Sequence, residues 1–213
     1  MKRTLASLLT LLALAAGTSH ANENDGAELY DAAAPVDSAF VRVLNLDTSS
    51  VRVALSGKNQ AQLIAAGEIG GYRFTAPGET RLEIGKQVVS PTLAANSATT
   101  FIHDGQQLRS LQDAFVNEPK KAQVGFYNLS GQSLSLKTRD GRHVIVEEVA
   151  AGQNGSRMVN ELKIAFAAYS GDSKVADFPE VFLKKGRTYS YLILPTSSGV
   201  RAVSMANGLD PLD

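Results

Sequence analysis

Apolar and other residues alternate along two short segments of this chain, residues 38–46 and 121–129. In both segments an alanine and two further apolar residues stand two positions apart and precede an Asn-Leu pair, Asn45-Leu46 in the first segment and Asn128-Leu129 in the second. Alternation with a period of two, in β-branched and aromatic residues, is typical of a strand with one buried face. The chain therefore contains the same predicted strand twice, which indicates an internal repeat.

The similarity between the two halves extends beyond this strand. Further matched pairs follow in the same order: residues 50–55 with 133–138, 64–67 with 149–152, 95–102 with 185–192, and 108–111 with 200–203. The offset between matched residues grows from 83 to 92 along the chain, as expected if surface loops lengthened while the strands were kept. Units of roughly 80 residues can bury cores of their own. We therefore predict two like domains in tandem.

Turn signals separate the predicted strands throughout both halves, and no long window keeps helical spacing. Short strands at this spacing are typical of β-sandwiches. We predict an all-β protein with two tandem, internally duplicated β-sandwich domains of the immunoglobulin-like type. Their expected bounds are 38–115 and 122–206, with an extended arm at 22–37, a linker at 116–121 and a C-terminal tail at 207–213.

The first 21 residues have the pattern of a secretory signal peptide. Lys2 and Arg3 precede an apolar run of about a dozen residues, and small residues stand before Asn22. A membrane anchor would need about 20 apolar residues. We therefore expect export, with residues 1–21 cleaved and the mature chain beginning at Asn22. The chain has no cysteine, which excludes disulfides, a thiol nucleophile and lipidation at a cleavage-site cysteine.

Alternation along residues 38–46 also predicts an outward face on the first domain. If the valines of this strand point into the core, Phe40, Arg42 and Leu44 point out of it. Either the N-terminal arm with Tyr30 or the second domain covers these side chains, or they bind a partner. Arginine and aromatic residues often contribute most of the energy of a protein interface. Tyr30, Phe40 and Arg42 are therefore candidate partner-binding residues.

One motif invites a catalytic interpretation. Gly171-Asp172-Ser173 is similar to the nucleophile block of GDS-type esterases and acetyltransferases, which carry an Asp-x-x-His downstream of the serine. Here His103 and His143 both precede Ser173. Ser-Gly-Asp is also favoured by turn geometry alone, and a hydroxyl without a positioned base is a weak nucleophile. We therefore expect no catalytic residue, and a protein that is not an enzyme.

Metal and cofactor sites are not indicated. His103 and His143 lie 40 residues apart in different repeats, without the spacing of metal ligands. The glycines at 67, 70 and 71 do not precede a predicted helix, so they do not form a phosphate-binding loop. The chain carries 21 basic and 21 acidic residues and no strongly basic face with interleaved aromatics, which disfavours nucleic acid as a partner.

The chain resembles the alginate biosynthesis protein AlgF family. The resemblance lies in these segments: 27–30, 34–35, 38–42 with Asn45, 123–130, 136–141 and 169–175. It implies an exported bacterial protein of the periplasm, required for O-acetylation of the exopolysaccharide alginate. The partners that it implies are protein components of the acetylation complex, a membrane-bound O-acyltransferase and periplasmic acetyltransferases, with alginate itself as a further candidate. We expect a non-enzymatic adaptor or scaffold; the alternative is an alginate-binding module that presents the polymer for acetylation.

A basic group in the second half is the candidate polysaccharide site. Between Pro119 and Asp213 the chain has 12 basic and 9 acidic residues. The group consists of Lys137, Arg139, Arg142, Lys184, Lys185 and Arg187. A polyuronate offers a row of carboxylates, which the planar guanidinium binds through two hydrogen bonds. Sugar-binding sandwiches typically add stacking aromatics, and this chain has no tryptophan. A plain solvated surface is the competing interpretation.

Overall fold

The computed structural model describes residues 34–210, apart from Phe115 and Asn117. The predicted signal peptide and Tyr30 lie outside the described residues. Within the described part of the chain there are twenty strands and no helix. In the same residues, no helix has the length and apolar character that crossing a membrane would require.

The strands divide equally between the two halves. The first ten are β1 (Ala39–Asn45), β2 (Val51–Leu55), β3 (Gln62–Ile64), β4 (Arg73–Thr75), β5 (Gly78–Glu79), β6 (Leu82–Ile84), β7 (Gln87–Val89), β8 (Thr92–Leu93), β9 (Ala98–His103) and β10 (Leu108–Asp113). The second ten are β11 (Ala122–Asn128), β12 (Leu134–Thr138), β13 (Val144–Val149), β14 (Gln153–Val159), β15 (Leu162–Ile164), β16 (Phe166–Ser170), β17 (Ser173–Asp177), β18 (Val181–Leu183), β19 (Thr188–Thr196) and β20 (Gly199–Ala206).

Strand order is the same in both halves. The first half has sheets β10-β9-β1-β4 and β3-β2-β6-β7 with a ribbon β5-β8. The second half has sheets β20-β19-β11-β14 and β13-β12-β16-β17 with a ribbon β15-β18. Each strand thus has its equivalent ten strands later, including the parallel pairs β1–β9 and β11–β19. The prediction of an all-β fold with two like sandwich halves is confirmed.

Each half buries an apolar core between its two sheets. In the first half Val43 and Phe101 belong to this core. In the second half the equivalent of Val43 is Phe126, which packs with Phe166 and Tyr191. The Phe166 and Tyr191 ring centroids lie 5.1 Å apart in an edge-to-face arrangement, which adds to the stabilisation from burial. The period of two in β1 and β11 follows directly from this inward face.

The asparagine of the repeated Asn-Leu pair closes the same turn in both halves. Nδ2 of Asn45 donates to the Ile64 carbonyl at 3.1 Å, and Nδ2 of Asn128 donates to the Val149 carbonyl at 2.8 Å. Ile64 and Val149 are the last residues of β3 and β13. Each Oδ1 accepts from the backbone N–H two residues further on, at 3.0 and 3.1 Å. The amide therefore ties the end of the first strand to the end of the third.

The turn that follows needs glycine in both halves. Gly67 and Gly152 have φ angles of 70° and 76°, in the left-handed region that disfavours a side chain. Their N–H groups donate to the backbone carbonyls of Asn45 and Asn128 at 2.8 and 2.7 Å. This requirement explains why the sequence Ala-Ala-Gly returns after β3 and after β13.

The match of residues 108–111 with 200–203 requires a correction of two positions. In the first half Arg109 lies opposite Ile102. The second-half equivalent of Ile102 is Leu192, and Leu192 lies opposite Val203 rather than Arg201. The register therefore equates Arg109 with Val203. The difference arises because the β19–β20 hairpin pairs over more residues than the β9–β10 hairpin, which shifts the similar-looking sequence along the strand.

We expect Asn45→Ala and Asn128→Ala each to lower the free energy of unfolding by about 1–3 kcal/mol, because buried carbonyls lose their donor. Urea denaturation of the purified chain measures this change. Asn59→Ala, at an exposed position, is the matched control and should shift stability by less than about 0.5 kcal/mol. Unchanged stability of both buried variants would contradict the role given to the repeated asparagine.

Candidate functional site

The outward face of β1 is covered by the second half of the chain. Leu44 and Ile102 from the first half share one apolar cluster with Tyr127, Leu192 and Leu194 from the second. Sheet β10-β9-β1-β4 therefore faces sheet β20-β19-β11-β14. Of the alternatives for this face, coverage by the second domain is the one that the structure supports.

Arg42 lies inside this interface, and only 2% of its surface is exposed. Its Nε donates to Thr100 Oγ1 at 2.9 Å, and Nη1 donates to Asn207 Oδ1 at 2.9 Å. Nη2 donates to Tyr127 Oη at 2.8 Å and to Ser190 Oγ at 3.0 Å. Three of these four acceptors belong to the second half. Arg42, a side chain of the first half, therefore has most of its hydrogen-bond partners in the second half.

The balancing negative charge is Asp113, which is 5% exposed. Its carboxylate accepts hydrogen bonds from three hydroxyls: Tyr72 at 2.7 Å, Thr100 at 2.6 Å and Tyr127 at 2.7 Å. Thr100 and Tyr127 each accept from Arg42 and donate to Asp113. These two hydroxyls thus connect the buried cation to the buried anion, and each charge keeps several partners, as burial requires.

Burial also determines the protonation of this network. It raises the pKa of Tyr72 and of Tyr127, so both hydroxyls keep the proton that they donate to Asp113. For Arg42, burial by itself acts to lower the pKa, but the two tyrosines and Asp113 outweigh it and the pKa is raised. The guanidinium carbon lies 4.2 Å from the Tyr72 ring centre and 5.3 Å from that of Tyr127, where the ring faces favour a cation.

Equivalent residues of the two halves meet at this interface. Thr100 donates to Asp113 in the first half, and its equivalent Ser190 donates to Asn207 at 2.8 Å in the second. Arg42 breaks the pattern, because its equivalent in β11 is Gly125. Two guanidinium groups with a single carboxylate would leave one buried charge uncompensated. The arginine in one copy and the glycine in the other avoid this cost.

An arginine from the last strand of each half reaches the turn glycine of the other half. Arg109 Nη1 donates to the Gly152 carbonyl at 3.1 Å. Arg201 Nη2 donates to the Gly67 carbonyl. A Cβ at either glycine would lie within 2.6 Å of a guanidinium nitrogen. The glycines that close the repeated turns thus also allow the two halves to approach each other.

The chain beyond β20 returns to the first half. The Tyr72 N–H donates to the Gly208 carbonyl at 3.0 Å, and the Asp210 N–H donates to the Tyr72 carbonyl at 2.7 Å. Tyr72 and Leu209 thereby form a parallel bridge. Residues 208–210, which fall in the segment predicted to be a tail, add backbone hydrogen bonds between the two halves.

The candidate partner-binding residues Arg42 and Phe40 have different environments in the structure. Arg42 is buried between the two halves, so the hypothesis that it belongs to an open partner surface is corrected. Phe40 is partly buried and lies opposite Phe74 in the β1–β4 ladder. Tyr30 lies outside the described residues. The sequence signal for Arg42, an arginine on an outward face, was real, but the occupant of that face is the second domain.

The first three members of the basic group each have an acidic neighbour. The ion pairs are Lys137 Nζ with Asp172 at 3.6 Å, Arg139 Nε with Asp177 at 3.5 Å and Arg142 Nε with Asp140 at 3.6 Å. Lys137 Nζ also donates to the Gly171 carbonyl at 2.9 Å, and Arg139 Nη2 donates to the Phe178 carbonyl at 2.6 Å. These side chains support local turns, and their charges are partly compensated where they stand.

The other three basic residues lie around a different turn, between β18 and β19. The Lys184 N–H donates to Tyr189 Oη at 2.9 Å, and the Lys185 N–H donates to Glu161 Oε2 at 3.1 Å. Lys184, Lys185 and Arg187 are all exposed. The predicted group is therefore divided between the region of the β12–β13 turn and the exposed turn at residues 184–187.

Ser173 begins β17 directly after a hairpin turn and is exposed. Among the described residues its hydroxyl makes no hydrogen bond with a histidine. His103 Nδ1 lies 3.3 Å from Gln87 Oε1, and the backbone N–H of His143 donates to Thr138 Oγ1 at 3.1 Å. In residues 34–210, apart from the two that are not described, no group of three His, Asp or Glu side chains could hold a metal ion.

Sequence reasoning missed the partners of Arg42. Alternation applied to β11 places Tyr127 on the same outward face as Gly125, so a signal for Tyr127 was present in the repeat itself. Asp113 and Asn207 carried no such signal, because Asp113 is the last residue of β10 and Asn207 directly follows β20, both polar positions that solvent could equally well have surrounded. Their role depends on how the two sheets meet.

Comparison with known proteins finds similarity over most of the chain. Residues 9–190 match the family model described as Alginate O-acetyl transferase AlgF. The chain is 34% identical over 201 residues to the alginate biosynthesis protein AlgF of Pseudomonas putida, covering 93% of this chain and 92% of that protein. It is 30% identical over 200 residues to the AlgF of Pseudomonas aeruginosa, covering 93% and 90%.

Two solved structures from Pseudomonas aeruginosa are also similar. The C-terminal domain of AlgF has a TM-score of 0.39 and 32% identity, covering 41% of this chain and 99% of that one. The N-terminal domain of AlgF has a TM-score of 0.34 and 22% identity, covering 38% of this chain and 100% of that one.

We expect Arg42→Met to lower the free energy of unfolding by about 3–5 kcal/mol, because Asp113 then remains buried without its cation. Adding Asp113→Asn should cost less than the sum of the two single changes, since the residues share one network. Urea denaturation measures both effects. Arg52→Met, on an exposed position of β2, is the control. Additive losses would contradict the coupling between Arg42 and Asp113.

Stability should fall as the pH rises above about 10, where tyrosine ionises in the unfolded chain. Burial raises the folded pKa of Tyr72 and Tyr127. Their contribution is therefore complete below the unfolded pKa and is lost as pH rises through the folded values. Free energies of unfolding between about pH 8 and 11 test this. The decline should be shallower for Tyr72→Phe, and an equal decline would count against the assignment.

Proposed function

Because this chain belongs to the AlgF family, which acts in alginate biosynthesis and O-acetylation, we propose that it is a non-enzymatic adaptor of the acetylation machinery. In this proposal it is exported to the periplasm as the mature chain from Asn22. There it holds a membrane-bound O-acyltransferase and periplasmic acetyltransferases in position relative to one another.

The observation that carries this proposal is the buried network around Arg42. Hydrogen bonds from Arg42 reach Tyr127, Ser190 and Asn207 of the second half. They join two sandwiches into one body with a fixed arrangement of outer surfaces. An adaptor benefits from such rigidity, because binding a second component then costs less conformational entropy.

The hydroxyls of the described residues support a non-enzymatic role. Acyl transfer through the protein would require an accessible nucleophile with a positioned base. Ser173 is accessible but has no histidine partner among the described residues. Thr100 and Tyr127 have the Asp113 carboxylate close by, yet these two residues and Ser190 are buried between the two halves, where a polymer chain cannot reach them.

Presentation of the polymer is the alternative function. Its best support is the exposed turn with Lys184, Lys185 and Arg187. Binding there would depend on solvent-exposed charges, and such attraction is screened beyond roughly 8 to 10 Å at physiological salt. Lys137, Arg139 and Arg142 each have an acidic neighbour that partly compensates their charge. The adaptor role is the better supported of the two.

The test expresses the wild-type chain or a variant in a bacterium that lacks this chain. The acetyl content of the secreted alginate is then measured by NMR. Ser173→Ala should restore acetylation to nearly the wild-type level, because surface changes in turns usually cost under about 0.5 kcal/mol of stability. The wild-type mature chain should also bind purified acetylation components. Loss of acetylation by a folded Ser173→Ala variant would favour an enzyme.

A second measurement distinguishes the polymer binder. Calorimetry of the mature chain with alginate oligomers in physiological salt should give no tight binding. The double variant Lys185→Glu with Arg187→Glu should bind acetylation components as the wild type does. Tight alginate binding that this double variant abolishes would replace the adaptor with the polymer-presenting function.

A further inference from the structure

The outer face of sheet β3-β2-β6-β7 in the first half carries two exposed apolar side chains. Leu63 of β3 is 73% exposed, and Val88 of β7 is 50% exposed. Leu63 lies opposite Arg52 in the next strand. Val88 lies opposite Glu83, which in turn lies opposite Ala54, two positions after Arg52. Opposite residues of neighbouring strands point to the same side of a sheet, so these five side chains share one surface, the open face.

The second half covers the equivalent face with its own side chains. Tyr169 lies there and is only 7% exposed. Lys137 Nζ lies 5.1 Å from the centre of the Tyr169 ring, and Tyr169 Oη donates to the Arg139 carbonyl at 2.9 Å. Arg139 Nε in turn pairs with Asp177 at 3.5 Å. An aromatic ring and an ion pair therefore close this face of the second half.

Two of these covering side chains have smaller or apolar equivalents in the first half. The register equates Lys137 with Ala54, and it equates Asp177 with Val88. Each pair occupies the same place in a row of three residues that crosses three neighbouring strands. The first half therefore has a methyl group in place of the cation, and an exposed valine in place of the acid that pairs with Arg139.

The Tyr169 ring has no counterpart in the first half. In the second half Tyr169 lies opposite Ser135. The position of Tyr169 is taken in the first half by Gly85, whose N–H donates at 2.9 Å to the carbonyl of Arg52, the equivalent of Ser135. Gly85 has a φ of 59° and belongs to the two-residue turn between β6 and β7, whereas β16 continues past Tyr169. The open face therefore lacks the ring that closes the same face in the second half.

The open face offers one cation beside its apolar side chains. Arg52 is exposed, and within the described residues no acidic side chain forms an ion pair with it. Glu83, in contrast, pairs with Arg81 at 3.0 Å. A ligand with one carboxylate next to apolar groups fits this arrangement. A polyuronate fits it less well, because it carries a carboxylate on every sugar and would bring some of them next to Glu83.

We propose that the open face binds a surface of a partner protein on which an aromatic side chain stands next to a carboxylate. The ring takes the place that Tyr169 has in the second half, beside Ala54 and Gly85, and the carboxylate pairs with Arg52. Arginine and aromatic residues often contribute most of the energy of such interfaces. The inference rests on the adaptor function and names a surface through which the adaptor holds a component.

The test measures binding of each purified acetylation component to the full mature chain by calorimetry. Val88→Asp and Arg52→Glu should each weaken binding of one component by about tenfold or more, because each puts a negative charge where the partner brings apolar groups or a carboxylate. Val144→Asp and Arg142→Glu make the same chemical changes at exposed positions of the second half and should leave the affinity unchanged.

A third variant uses a residue that the fold already accepts. Ala54→Lys introduces the side chain that the second half has at the equivalent position, so the urea midpoint of unfolding should stay the same. The lysine should occupy the space of the incoming ring and weaken binding of the same component. In the wild-type chain, methyl NMR shifts on addition of that component should include Ala54, Leu63 and Val88.

Two negative results separate this inference from the adaptor function. If components bind the wild type and all three variants equally, and no methyl group of the open face shifts, the inference is wrong and the adaptor function stands. If no component binds the wild-type chain, the adaptor function fails and the inference fails with it.

Three other occupants of the open face would also overturn the inference. If Tyr30→Ala shifts these methyl resonances without any component present, the chain's own N-terminal segment covers the face. If the resonances change with protein concentration, a second copy of the chain binds there. If alginate oligomers shift them and no component does, the face is a polysaccharide site.

Discussion

A guanidinium enclosed between two β-sandwiches has to be hydrogen-bonded on every side, and the arrangement of this molecule follows from that constraint. The donors of Arg42 find acceptors on β9 of the first half, on β11 and β19 of the second, and on Asn207 just after β20. A different angle between the two sheets would leave at least one of these donors unpaired, at a cost comparable to the stabilisation gained from burying a large apolar side chain. The network therefore specifies one orientation, whereas the apolar contacts around it would tolerate several.

Duplication explains the two cores but not the surface between them. The inward faces of β1 and β11 kept alternate apolar residues, and the turn asparagine and glycine were kept with them. On the outward faces Arg42 corresponds to Gly125, and Leu44 corresponds to Tyr127. Those differences turn a potentially symmetric contact into one with a single cation at its centre. A tandem chain can fix such an asymmetry, since each copy is free to change by itself, whereas identical subunits of a symmetric dimer change together.

The fold and the family were accessible from the sequence for a physical reason. Period-two alternation reports a buried sheet face locally, within β1 or β11, and the asparagine of the Asn-Leu pair is the last residue of each of these strands. The functional interpretation of Arg42 needed information at a longer range, because Arg42 and Asn207 are 165 positions apart. The same limit applies to the basic residues. Arg139 is paired with Asp177 from the end of another strand, and this compensation is absent from a count of charges along the chain.

Because residues 208–210 return to Tyr72, the contact between the two halves depends on the end of the described chain. A nascent or truncated chain that stops before Asn207 would leave Arg42 short of one acceptor and would leave the edge beside Tyr72 uncovered. Uncovered strand edges invite pairing with other chains, and a buried charge with a missing partner loosens the contact that holds the halves together. Incomplete molecules would therefore differ from complete ones in accessibility to proteases and chaperones, although almost all of both sandwiches had already been made.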